Sequence, residues 1–208
     1  MNCLIHATYF PNLAHFVAML KADITYFEVC DNYQKQSYRN RTEIYGANGK
    51  LPLTVPVNYS QNNRQLYKDV KIANENHWQQ LHLKSLQSAY SMSPFFEYYI
   101  DDLMPLFKKE FHFILDFNLK SFEVLLDCMQ INLSISQTHT FVPIAVGKEP
   151  NGKTDYRHMV NRNFTMTSLQ TYTQVFSEKH GFIPNLSVLD LLFNEGPNTS
   201  LYLKSQTL

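Results

Sequence analysis

The stretch Cys3–Cys30, CLIHATYFPNLAHFVAMLKADITYFEVC, decides the fold. CLIHATYF is apolar and uncharged and reads as a short buried strand. Pro11-Asn12 supplies a helix start, and Leu13, Phe16, Val17 and Leu20 then recur at helical spacing through NLAHFVAMLKAD. ITYFEVC is β-branched and aromatic and reads as a second strand. Strand, helix and strand in this order form a βαβ-like opening, the crossover that parallel strands require.

Downstream, TEIYGANGKLPLTVPV carries Asn48-Gly49 between two strand-like runs, a hairpin signal. Pro52 and Pro56 place its second strand at a sheet edge. NYSQNNRQLYKD reads as a polar loop and VKIA as one more strand. From Asn76 the pattern turns helical. Trp78, Leu81, His82, Leu86 and Ala89 are assigned to one face. SPFFEYYIDDLMPLFKKEF reads as a helix capped by Ser93, with Pro94 first and a break at Pro105. NLKSFEVLLDCMQI is a further helix, and ISQTHTFVP a strand. The polar, glycine-containing region 147–163 is expected to be a mobile loop. TSLQTYTQVFSEKHG reads as a helix closed by Gly181. FIPNLSVLDLLFNEGP gives a last short helix, with Ser187 and Asp190 as a capping pair and Gly196-Pro197 as the stop. The fold expected is α/β: one domain over 1–208, a mixed sheet in the N-terminal half (about 1–75), and a largely helical C-terminal half (about 76–208) packed on it.

The chain has 208 residues, 44% of them hydrophobic, enough to bury one core. Eighteen basic residues balance 18 acidic ones, so no global field favours nucleic acid or an anionic membrane. Three cysteines at long spacings, without a CxxC, argue against a disulfide framework or thiolate zinc site and favour a reducing, cytoplasmic setting. MNCLIHATYF lacks the pattern of a signal peptide, and no apolar run has transmembrane length, so no membrane insertion is expected. There is no P-loop, no G-x-S-x-G elbow, no Rossmann glycine pattern and no HExxH. Neither a cofactor nor a metal is assigned.

The chemistry concentrates in DNYQKQSYRNR, Asp31–Arg41. Guanidinium forks and carboxamides are the groups that clamp phosphate, carboxylate and sugar hydroxyls with fixed direction. The stretch also follows a parallel strand, where ligands of open α/β sheets bind. One reading is a groove for a polar, anionic small molecule, with Asp31, Lys35, Gln36, Arg39, Asn40 and Arg41 contacting it. The plainer reading is a solvated strand pair with cross-strand charges. Residues two apart in an extended segment share a side, which would send Arg39 and Arg41 into one groove. His6 and His15 flank the first strand-to-helix turn, a position suited to acid–base work; the alternative for either is a core or half-buried histidine, the more so for His15. Trp78 and His82 share a helix face. Trp78 could be a platform for a sugar or base, but its apolar neighbours favour a core anchor. Cys30, ending an apolar strand, reads as an inert thiol. Asp190 and Asn194, spaced i,i+4 on a nearly buried helix, need partners. Arg41 or Arg39 is the natural one for Asp190, and capping through Ser187 the alternative. Asn194 joins the candidate binding residues.

YFPNLAHF with LKAD, the DNYQKQSYRNR block, LPLTVPV, the single tryptophan in HWQQLHLKSLQSAY, SPFFEYY and FIPNLSVLDLLFNEGP together resemble the WbqC-like protein family, over nearly the whole chain. The chain departs from the pattern at Ala14-His15-Phe16, where Gly-Tyr-Phe is frequent, and at His6, where Gln is frequent. The resemblance implies a protein of bacterial O-antigen or other surface-polysaccharide biosynthesis, alongside amino-sugar pathways. An acyl or aminoacyl transferase acting on a nucleotide-linked amino sugar is one expectation. There His82 or His6 would deprotonate the acceptor amine. The alternative is a non-catalytic sugar-nucleotide-binding or assembly protein. The expected partner is a small molecule, a sugar nucleotide, with no nucleic acid. A homo-oligomer is compatible with the aromatic content.

Overall fold

The computed structural model describes residues 1–59, 64–143, 152–164, 166 and 168–208. β1 (Asn2–Ile5), α1 (Leu13–Leu20) and β2 (Ile24–Phe27) form the βαβ unit, with β1 and β2 parallel from Asn2↔Ile24 to Ile5↔Phe27. Asn12 caps α1 by accepting a hydrogen bond from the His15 amide at 3.1 Å. α1 is buried almost all round, as expected of a short helix apolar on every side. Phe16 of α1 stacks on Phe122, and Phe27 of β2 meets the same ring edge-on, which pins the sheet to α4 (Ile114–Met129).

The hairpin β3 (Arg41–Gly46) and β4 (Gly49–Thr54) closes as expected, with Gly49 at φ 95° after a two-residue turn. Pro52 sits in β4, and both strands of this two-stranded sheet are edges. β5 (Val57–Asn58) and β6 (Lys71–Ile72) form a second small antiparallel pair. Helices α2 (Trp78–Tyr90), α3 (Phe96–Lys108), α4, α5 (Ser177–His180), α6 (Val188–Glu195) and α7 (Thr199–Ser205) dominate the second half. α6 is tied to the N-terminal half by the main chain: Val188 N donates to Pro11 O, and Ser187 N to Glu43 O.

The sheet is not confined to residues 1–75. β7 (Ile135–Gln137) and β8 (Lys153–Asp155) join the main sheet, giving four parallel strands in the order β7-β2-β1-β8. This corrects the expected loop over 147–163: beyond residues 144–151, which lie outside the described residues, it supplies a strand and a 3₁₀ turn, Arg157–Val160. Ladder hydrogen bonds to β1, not apolar periodicity, stabilise β8, and its polar side chains concealed it.

Other corrections have local causes. α3 begins after Phe95, and it runs through Pro105 to Lys108. Pro105 lies in its last turn, where little helix remains to disrupt. The segment 168–176 is not helical. Tyr172 and Gln174 there reach Asp190 instead, at 2.6 and 2.8 Å. The Asp31–Asn40 stretch is neither strand nor helix but a series of turns, with Gln36 at φ 58° and Ser37 Oγ donating to Gln34 O.

Candidate functional site

The carboxyl ends of the four strands converge on one cavity of about 440 Å³. β1 lies between β2, reached through α1, and β8 on its other side, so chain connections diverge at β1. Such a switch point leaves a crevice at the strand ends of an open α/β sheet. The main chain continues the ladder there: Glu28 N donates to Ile5 O, Thr138 N to Phe27 O and Tyr156 N to Leu4 O. These bonds fix the positions of His6, Glu28 and Arg157.

Two buried arginines frame the cavity. Arg39, 1% exposed, donates through Nη2 to Asp31 Oδ2 and contacts His6 Nε2 at 2.6 Å. His6 Nε2 also lies 2.9 Å from Asp31 Oδ2. Arg39 Nη1 donates to Asn32 O, and the guanidinium lies over the Tyr67 ring. Burial and then the Arg39 charge push the His6 pKa down to about 4, against the opposing pull of Asp31. His6 is therefore neutral near pH 7. Three buried atoms of this cluster have no hydrogen-bond partner among the described residues: His6 Nδ1, Asp31 Oδ1 and Arg39 Nε.

Arg157 forms the facing wall. Its Nε and Nη2 grip both Asp155 oxygens, and Nη1 donates to Glu28 Oε2 at 3.3 Å and Val142 O at 2.5 Å. Glu28 is fully buried and also accepts from Thr138 Oγ1, Cys30 N and Val142 N. Burial alone would raise the Asp155 carboxyl, but the Arg157 hydrogen bonds outweigh it and hold the carboxyl below its ordinary value. His158, exposed, with Asn161 and the half-exposed Phe141, completes the mouth.

The expected site residues separate accordingly. Asp31, Arg39 and His6 line the cavity. Lys35 and Gln36 lie outside its lining on the exposed turn, where the Lys35 ammonium sits over the Tyr59 ring. The buried Asn40 donates to Val55 O and anchors the hairpin. Arg41 opens β3 and is absent from the cavity lining that includes Arg39, so the two arginines do not share this groove. Trp78 is buried edge-on against Phe117, and His82 is buried with Nδ1 2.8 Å from the Tyr9 hydroxyl. Asn194 donates to Asp190 O within its own helix. His15 bonds Asn12 in the core. Asp190 meets neither arginine. It accepts from Tyr90, Tyr172 and Gln174, while Ser187 Oγ caps Leu189 N. Both sequence-based assignments for Asp190 are thus replaced by a tyrosine–glutamine cage.

Asp155, Arg157, His158 and Asn161 were hidden in the region read as a loop, and Phe141 in a strand that ends earlier. Among the described residues no group of three or more His, Cys, Asp or Glu could hold a metal ion, and no helix is long and apolar enough to cross a membrane.

The architecture defines a parallel α/β protein with a polar cavity at its strand ends. Family comparison is more specific: residues 7–150 and 146–202 match the WbqC-like protein family, and the chain belongs to it. It is similar, at 24% identity over 229 positions, to a Mycobacterium tuberculosis (strain ATCC 25618 / H37Rv) protein described as "Uncharacterized protein Rv1507c", covering 97% of this chain and 96% of that protein. No solved structure matches significantly.

Proposed function

We propose that the strand-end cavity binds a nucleotide-linked amino sugar and transfers an acyl or aminoacyl group to its amine, in bacterial surface-polysaccharide biosynthesis. The observation that carries the reading is the cavity itself: about 440 Å³ at the switch point, walled by Asp31, Arg39, Asp155 and Arg157 with carboxamides between. That volume falls in the range of small-molecule sites. All three cysteines are free, which suits the cytoplasm.

In this reading the transfer is direct, from donor to acceptor without an intermediate on the protein. The acceptor nitrogen attacks the donor carbonyl carbon and a C–N bond forms. The bond to the donor's leaving group breaks with its electron pair, and the amine proton passes to His158 and on to the leaving group. His6 is too weakly basic at about 4 for that step and is given an orienting role. His82, enclosed by Tyr9 and Trp78, is given none.

Low basicity at His6 also favours a second reading, in which the cavity binds a sugar nucleotide for another enzyme. A thermal-shift screen separates the two. Stabilisation by both acyl donors and nucleotide-linked amino sugars supports the transferase. Stabilisation by the sugar nucleotide alone supports the binding protein, and stabilisation by neither removes the cavity from both.

A further inference from the structure

We infer that the cavity takes the uncharged or ammonium-bearing end of its ligand and leaves any phosphate outside, so that it selects an amine- or hydroxyl-bearing ring rather than an anion. This rests on the function proposed above and deepens it. It also reverses the anion preference that the arginine-rich sequence suggests.

The two guanidiniums are already neutralised. Asp31 sits on Arg39, and Asp155 and Glu28 sit on Arg157. Three carboxylates therefore face two guanidiniums, and the neutral His6 adds no charge. Arg157 has committed Nε, Nη1 and Nη2 to protein oxygens and keeps no free fork for two phosphate oxygens. The other ordinary phosphate device is missing too. None of the described lining residues is a glycine or belongs to the first turn of α1.

What remains unsatisfied suits a different ligand. Asp31 Oδ1, the Arg39 fork atom Nε and the His6 ring atom Nδ1 are all buried without a hydrogen-bond partner among the described residues, and the Asp31 side chain is the one of the three that keeps some exposure, 11%. Asn32, Gln34 and Asn161 offer carboxamides, and Phe141 and Val160 offer apolar surface for a ring face. Carboxylate, carboxamide and aromatic groups together recognise hydroxyls and ammonium groups.

The test is NMR titration of the full ¹⁵N-labelled chain at neutral pH with glucosamine, glucose and inorganic pyrophosphate, following Arg side-chain Nε–H and Asn161 signals. Glucosamine should shift these signals, more weakly matched by glucose, with pyrophosphate leaving them in place. Asp31→Asn should weaken glucosamine at least tenfold. Because that change uncovers the buried Arg39, the exposed Asn161 carries a second test. Asn161→Asp should tighten glucosamine and Asn161→Lys should weaken it severalfold. Pyrophosphate binding at the Arg Nε–H signals, strengthened by Asn161→Lys, would overturn the inference while leaving a sugar-nucleotide site intact. No shift with any of the three would overturn the inference and the proposed function together.

Discussion

Arg157 meets Glu28 at 3.3 Å across 129 residues of sequence, and both side chains are buried. The pair joins β8 to β2 over the intervening β1, at the edge where the cavity opens. Glu28 also gathers Thr138, Cys30 and Val142, so one carboxylate organises three segments.

Removing that carboxylate should be costly. Glu28→Ala leaves a buried guanidinium short of a counter-charge and buried donors without an acceptor, a loss of about 3 kcal/mol or more. Glu28→Gln keeps the shape and should lose less. Urea unfolding measures both. A Glu28→Ala midpoint equal to wild type would show that the pair contributes nothing.

Acid should unfold the protein in a window set by buried histidines. Burial, reinforced at His6 by Arg39 and at His15 by His6 and His158, brings His6 and His82 down to about 4 and His15 to about 3. Their ordinary value is 6.5, so between 6.5 and the lowered values the unfolded chain binds more protons than the folded one. The stability they contribute is complete above 6.5 and is lost as pH falls through that window, about 3 kcal/mol each for His6 and His82 and about 5 kcal/mol for His15. Asp190, raised by burial, works in the opposite direction, but it is one group against three. Urea midpoints from pH 7 to pH 4 should fall steadily, and a flat profile would contradict the assignment.

The C-terminal stop should tolerate no side chain. Gly196 adopts φ 53°, and a Cβ there would lie 2.5–2.7 Å from the Phe95 ring. Gly196→Ala combines left-handed strain with overpacking, about 2–4 kcal/mol in total. Thermal unfolding should show the loss, and adding Phe95→Ala should relieve the steric part, so a double variant that is strictly additive would sink this account.

Asp190 provides a test of connectivity. Its oxygens take Tyr90, Tyr172 and Gln174, so Asp190→Ala with Tyr172→Phe should show coupling of about 1 kcal/mol in a double-mutant cycle. Asp190→Ala with Arg41→Ala should be additive. The reverse pattern would restore the bridge to the N-terminal stretch.

What was legible in the sequence follows from which forces leave a local trace. The βαβ opening, the Asn48-Gly49 hairpin and the apolar helices α1, α2, α4 and α6 carry periodicity or turn chemistry, and they formed where read, with ends shifted by a few residues. β8 carries neither, because Lys153 and Asp155 face a half-covered surface and their strand exists through pairing with β1. Half of the cavity follows β8 and was lost with it. Asp31 and Arg39 stood out by composition, but their partner His6 is distant in sequence, and nothing local distinguished Arg39, which turns inward, from Lys35, which stays exposed. His82 and Trp78 had the chemistry of a site and the surroundings of a core, and helix periodicity alone does not reveal that Tyr9 encloses them.

The proposed function requires ligand to bind in the strand-end cavity. The most direct measurement is calorimetric titration of a nucleotide-linked amino sugar into wild type, Asn161→Trp, which fills the cavity mouth, and Lys35→Ala, which alters the exposed turn outside it. The cavity predicts binding lost or weakened at least tenfold in Asn161→Trp and unchanged in Lys35→Ala. Unaltered affinity in Asn161→Trp, with binding abolished in Lys35→Ala, would place the ligand elsewhere and contradict it.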